Sequence, residues 1–158
     1  MGAAIQQFMD KFEEFKTLPS GESFTIEVTD QEVTAAANEY VTENKAQIKG
    51  LLKEQIGFDL NVEKPSVEFR NHEVFLSILV GMGFLKTKAL FTADVTWDGK
   101  PVVVVQSVDV PLVSVSPEEL NSIVEEPLTE MMGQVEEYAE IRSFELKKGL
   151  AVVEAVRK

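Results

Sequence analysis

Only a few residues in this chain are of a type that could do chemistry. His72 is the sole histidine, so a Ser-His-Asp triad would have to use it, and a two-histidine metal site cannot form within one chain. No Gly-x-Ser-x-Gly elbow accompanies it. His72 follows Asn71 between two apolar runs, the setting of a solvent-facing turn. The pairs Glu118-Glu119, Glu125-Glu126 and Glu136-Glu137 have the composition of acid/base dyads. Adjacent residues on a helix, however, diverge by about 100° and do not face each other, so these glutamates read as a solvated helix face. Gly81-Met82-Gly83-Phe84-Leu85-Lys86 begins like a phosphate-binding loop but lacks the third glycine and continues into a strand pattern instead of a helix. Glycines in such a pattern mark a bulge or bend. Cysteine is absent, which removes thiolate nucleophiles and the usual zinc clusters. These residues assign no catalytic group, no metal and no cofactor, and the reading is of a binding protein and not an enzyme.

The composition narrows the partners. A formal net charge of -12 argues against nucleic acid, whose phosphates need clustered Lys and Arg, and against adsorption to anionic lipid by overall charge. Lys45, Lys49 and Lys53 form a stripe at i, i+4 spacing, read as a solvated helix face with a lipid-headgroup contact as the minor alternative. At 158 residues with 44% hydrophobic side chains, one domain can bury roughly 70% of its unfolded surface without covalent staples. No apolar run reaches the length of a membrane span, and the first residues lack the basic flank and apolar centre of a signal peptide.

The elements that must position any site follow from periodicity. Ile5, Phe8, Met9, Phe12 and Phe15 recur at helical spacing, predicting an amphipathic helix over 3–16 within an N-terminal segment 1–18, ahead of a single domain 19–158. Phe24, Ile26 and Val28 alternate as a short strand. Thr29-Asp30-Gln31-Glu32 is a capping box opening one bent helix or two over 30–56, closed by Gly57. From Phe58 to Val115 the period is two. Pro65 interrupts the first strand, Asn71-His72 turns the chain, and Asp98-Gly99 reads as a two-residue hairpin turn. That turn places Val95 opposite Val102, Ala93 opposite Val104 and Phe91 opposite Gln106, and pairs Lys88 with Asp109 on the reverse face. Ser116-Pro117-Glu118-Glu119 opens a helix over 117–138, bent at Pro127. Residues 141–146 and 150–156 form a terminal hairpin through Lys147-Lys148-Gly149.

The run Val74–Leu85 is the least ordinary stretch. Val74, Leu76, Ile78, Val80 and Met82 face one side of a strand, while Phe75, Leu79 and Leu85 face the other, so both faces call for cover. The short turns on either side force an antiparallel sheet, in which two-sided burial is unusual. The fold class is therefore α+β: a curved antiparallel sheet wrapped along a long C-terminal helix, with additional N-terminal helices.

This order of elements, with the capped phrases Val-Thr-Asp-Gln-Glu-Val and Val-Ser-Pro-Glu-Glu-Leu-Asn, resembles the tubular lipid-binding (TULIP-like) superfamily over residues 23–157. The likeness is to its short bacterial single-unit members tethered outside the cytoplasmic membrane. The resemblance implies a long helix in a curved sheet, an apolar lipid groove and no catalytic motif. It implies too that residues 1–18 are a stalk after a missing anchor and that the setting is extracytoplasmic. The expected groove lining is Leu52, Phe91, Trp97, Val104, Ile123, Met131 and Val135, with a lipid or other long apolar molecule as partner. The competing reading is a structural module whose apolar surface forms a homodimer or docks on an envelope partner.

Overall fold

The computed structural model describes residues 2–57, 59–110, 116–118, 121, 129 and 133–158. Its elements in chain order are α1 (Ala3–Lys16), β1 (Ser23–Thr29), α2 (Asp30–Glu43), α3 (Lys45–Ile56), β2 (Asn61–Arg70), β3 (Glu73–Met82), β4 (Leu85–Trp97), β5 (Pro101–Asp109), β6 (Ala139–Lys147) and β7 (Leu150–Arg157). The strands form two antiparallel sheets, a meander in the order β2-β3-β4-β5 and a smaller sheet in the order β1-β7-β6. The protein is thus α+β. Residues 117–118, 121, 129 and 133–136 are helical. The remainder of the expected helix 117–138, Pro127 included, lies outside the described residues.

Local chemistry accounts for the helix ends. Thr29 accepts the Glu32 amide while Glu32 reaches back to the Thr29 amide, which is the reciprocal capping box read from the sequence. The stretch 30–56 is two helices, broken at Asn44, whose φ of -116° and ψ of 27° leave the helical region and whose side-chain amide donates to the Tyr40 carbonyl at 2.9 Å. Gly57 closes α3 at φ 89°. The first amides of α1 are capped from outside the helix. The Glu39 carboxylate, on α2, accepts the Ala4 and Ile5 N–H groups at 2.8 Å each, where the helix dipole favours negative charge. A Cβ on Gly2 would collide with that carboxylate. Lys11 adds an ion pair to Glu32 and donates to the Glu27 carbonyl, and Phe15 stacks on Phe24 of β1. Helix α1 therefore lies against α2 and β1.

One contact sets the relation of helices to sheet. Helix α2 runs along the outer edge of β2, and three of its residues, four apart, bind that edge. Asp30 Oδ2 accepts the Phe69 N–H at 3.2 Å. Thr34 Oγ1 accepts the Val67 N–H at 2.9 Å and donates to the Val67 carbonyl at 3.1 Å. Asn38 Nδ2 donates to the Pro65 carbonyl at 2.8 Å. Pro65, which has no N–H to offer, sits where the register shifts between Glu63 and Ser66, as suits a proline on an edge strand. The β6–β7 turn binds the same corner. Gly149 donates to the Phe69 carbonyl at 2.9 Å and accepts the Asp30 N–H at 3.2 Å, at a φ of 76° that favours glycine.

Two registers need comment. The β2–β3 turn is the two residues Asn71-His72, with Arg70 opposite Glu73 and His72 exposed at φ 60°. The β4–β5 turn differs from the two-residue reading. Trp97 pairs with Pro101, so Asp98, Gly99 and Lys100 all lie in the loop, and Asp98 N–H bonds to the Lys100 carbonyl at 2.9 Å. Every pair slides by one: Val95 faces Val103 and Asp94 faces Val104 until a bulge between Thr92 and Ala93, beyond which Leu90 faces Asp109. Lys88 consequently has no partner in Asp109.

Among the described residues, two clusters of buried side chains form on the meander, and Ile26, Val28, Ala139 and Ala155 are buried in the smaller sheet. Phe69, Val95, Leu146 and Ala151 are buried together where the two sheets meet, with Val33, Val67, Val74, Val103 and Phe144 against them. Leu60, Val80 and Ala89 form the second, toward the β3–β4 turn.

Replacing Thr34 by valine keeps the shape but strands the Val67 amide and carbonyl, and is expected to cost about 1–3 kcal/mol in urea-unfolding free energy, with Thr34→Ser restoring most of it. A second expectation concerns acid. The Glu39 carboxyl is held below its ordinary 4.5 by the Ala4 and Ile5 amides, and Glu32 below 4.5 chiefly by Lys11. Both contributions are complete above the unfolded value and are lost as pH falls through the lower folded-state values. Hydrogen exchange of the α1 amides should accelerate relative to the β3 amides as pH drops below 4.5, and Glu39→Gln should flatten that dependence.

Candidate functional site

The register of the meander defines its two faces. Val74, Leu76, Ile78 and Val80 of β3 stand opposite Ala93, Phe91, Ala89 and Thr87 of β4, and Val62, Val67 and Phe69 of β2 continue the same face. Across β5 it includes Val103, Val105 and Val108. The other face carries Glu68, Phe75, Leu79, Leu90, Asp94 and Val104. Polar groups cover or separate its apolar residues. The Arg70 guanidinium lies 4.0 Å from the Phe75 ring centre, Gln106 bonds to Asp94 at 2.9 Å, and Thr92 bonds to Ser107.

The apolar face has two buried centres. Its Phe69–Val95 end is covered by β6 and β7, which contribute Leu146 and Ala151. Its other end centres on Leu60, Val80 and Ala89, ringed by Leu52, Ile78, Met82, Phe91 and Val110, all only partly buried. Along β3, six consecutive residues from Val74 to Leu79 are half-buried, whichever way they point. A strand with one dry face and one wet face would alternate. This one does not, and the two-sided apolar reading of the stretch has its structural counterpart here.

Among the expected lining residues, Leu52 of α3 and Phe91 of β4 are brought together, both packing on the Leu60–Val80–Ala89 cluster. Trp97 is half-buried opposite Pro101, six residues and about 20 Å along β4 from Phe91. Val104 is on the reverse face opposite Asp94 and is 42% exposed. It was expected beside Phe91 only because the β4–β5 loop was read one residue too short. Val135 is half-buried in the helical residues 133–136, and Ile123 and Met131 lie outside the described residues. Left out of the expected lining are Leu60, Val80 and Ala89, which anchor the cluster, and Ile78, Met82 and Val110, which ring it. The alternation around Val80 and Ala89 carried that signal, since register places Ile78 beside Ala89.

A shallow, open depression of about 470 Å³ lies between α2 and β2, lined by Asp30, Gln31, Thr34, Ala35, Ser66, Val67 and Glu68. Its best hydrogen-bonding groups, Asp30 and Thr34, are committed to the β2 edge. Among the described residues, no three His, Cys, Asp or Glu side chains are grouped to hold a metal ion. The Glu63 carboxyl is held below its ordinary value by Lys45 first and Lys86 second, with contacts of 3.2 and 3.3 Å. That is an ion-pair effect at the surface. No protein-family model and no curated protein matches this chain.

The two faces predict opposite mutational responses. Phe91→Ala should cost about 3 kcal/mol in unfolding free energy, whereas Val104→Thr should stay within about 0.5 kcal/mol. Paired denaturant titrations check both.

Proposed function

We propose that this protein binds a lipid or another long apolar molecule, without catalysis, on the Leu60–Val80–Ala89 end of the meander's apolar face. Leu52 and Phe91 flank the ligand. The single observation that supports the reading most is the half-burial of all six residues from Val74 to Leu79. An acyl chain supplies what that face lacks: each methylene it buries contributes about 0.8 kcal/mol, so a dozen offset the ordering cost of one bound molecule. Ringing side chains such as Met82 can adapt to a chain of variable shape. The resemblance to the tubular lipid-binding superfamily supports the same class of ligand, and with it a membrane-tethered, extracytoplasmic setting.

Native mass spectrometry of gently purified protein tests the proposal. The expected spectrum contains a species heavier by one lipid, or gains it after incubation with vesicles, and Phe91→Asp loses it. A single apo mass that takes up nothing from vesicles would sink the reading. A concentration-dependent dimer in sedimentation would then favour the interaction-module alternative.

A further inference from the structure

From the distribution of exposed apolar and basic side chains, we infer that the end of the molecule carrying the β3–β4 turn docks on a lipid surface with anionic headgroups. This goes beyond the ligand-binding proposal, because it concerns the outer surface and holds whether or not a lipid occupies the sheet face.

The turn is Gly83-Phe84, between the paired residues Met82 and Leu85. Gly83 adopts φ 64°, and the tight reversal projects the next side chain outward. Phe84 is 93% exposed, the most exposed of the large hydrophobics among the described residues, and Leu85 beside it is 51% exposed. A phenylalanine at such a tip gains nothing in the folded monomer. Solvent-exposed turns ordinarily carry polar or small residues.

The second observation is electrostatic. Around this tip the chain reverses its overall sign. The segments 45–64 and 81–88 contain Lys45, Lys49, Lys53, Lys64, Lys86 and Lys88 against three carboxylates, Glu54, Asp59 and Glu63. They are joined in space: Asn61 of β2 pairs with Gly81, Leu52 of α3 packs on the cluster that includes Met82, and Lys45 and Lys86 converge on Glu63 from α3 and β4. All six lysines are exposed. The whole chain carries -12, so everything outside this end is strongly acidic. An anionic membrane attracts this end and repels the rest, which orients the molecule tip-first before any apolar contact forms. Phe84 and Leu85 then enter the headgroup region while the long lysine side chains reach to phosphates. Nucleic acid would also attract lysines, but it offers no apolar layer for Phe84.

Flotation with vesicles tests this. The protein should float with equimolar phosphatidylglycerol and phosphatidylcholine, remain behind with phosphatidylcholine alone, and release at high salt. Phe84→Ser should weaken binding at least about tenfold, the scale of burying one phenylalanine. Lys49→Gln combined with Lys88→Gln should weaken it about twenty-five-fold, at roughly fivefold per lysine. Tyr40→Ser, at another exposed aromatic, on α2, should change nothing. Circular dichroism checks that each variant is folded, which the exposure of the substituted residues favours. Absence of flotation with the anionic vesicles overturns the inference, as does binding that neither Phe84→Ser nor the lysine pair diminishes. Lipid uptake in the mass spectrum without flotation would reject docking and leave the ligand proposal standing.

Discussion

The architecture turns on a coincidence of spacing. Four residues of α-helix rise about 6.0 Å, and two residues of strand advance about 6.6–6.8 Å. A helix laid antiparallel along a sheet edge can therefore present one side chain every fourth residue to one outward-facing backbone position every second residue. Asp30, Thr34 and Asn38 do this to Phe69, Val67 and Pro65. An unpaired strand edge is a site of aggregation, and natural proteins cover it. Here the cover is a polar stripe on a helix in place of another strand. The match cannot run far, because residues four apart on a helix rotate by about 40° per step. After three contacts β2 bulges at Glu63 and α2 ends at Asn44. At the other outer strand the same device recurs once, the Asn121 side chain accepting the Val105 N–H at 2.8 Å.

Fixing α2 to the edge keeps it off the sheet face. Val33 turns inward to the Phe69 cluster. The smaller sheet then covers what lies nearest the corner, because the β6–β7 turn is tied to Phe69 and Asp30 through Gly149 and the His72 N–H donates to the Leu146 carbonyl at 3.2 Å. Ile78 and Phe91, farther along, pack with Leu52 of α3, Met82 and Val110 on the Leu60–Val80–Ala89 cluster. Edge protection by a helix and cover of the Phe69 end by the smaller sheet are thus two results of one arrangement, joined at Asp30 and Gly149.

How much of this could be read from the chain depends on the range of the interaction. Local chemistry was legible: the bounds of α1, the Thr29–Glu32 box, the Gly57 cap, the Asn71-His72 turn and the terminal hairpin each rest on residues within a few positions of one another. The Asp98-Gly99 turn was located correctly but counted short. Asp-Gly is compatible with a two-residue and a three-residue loop, and here Trp97 pairs with Pro101 around a three-residue one, a choice the dipeptide alone does not announce. That one residue carried Val104 to the wrong face. The β1–β7 pairing joins opposite ends of the chain and left no local trace. The polar stripe 30/34/38 was visible as residues but not as a function, since Asp, Thr and Asn on a helix are ordinary solvent-facing types. Of the expected lining, Leu52 and Phe91, read from periodicity, pack on one cluster. Phe84 was hidden because the two glycines were read as bends within a strand, when Gly83 forms a turn.

The Leu60–Val80–Ala89 end of the face and the basic end of the molecule are the same region, and distance gives that overlap physical content. Ala89, the most deeply buried residue of the cluster at 0% exposure, lies four residues along β4 from Leu85 at the turn, about 13 Å in extended chain. One leaflet of a bilayer's hydrocarbon core is about 15 Å thick. A molecule whose tip rests among headgroups would hold the centre of its apolar cluster within one acyl-chain length of the membrane. Met82 spans the interval, paired with Leu85 at the turn and packed on the Ala89 cluster. A lipid leaving the bilayer along that strand would exchange one apolar contact for the next and would not cross water fully extended. Charge distribution and sheet geometry are independent features of the sequence, and their convergence on one end links the two proposals without making either depend on the other.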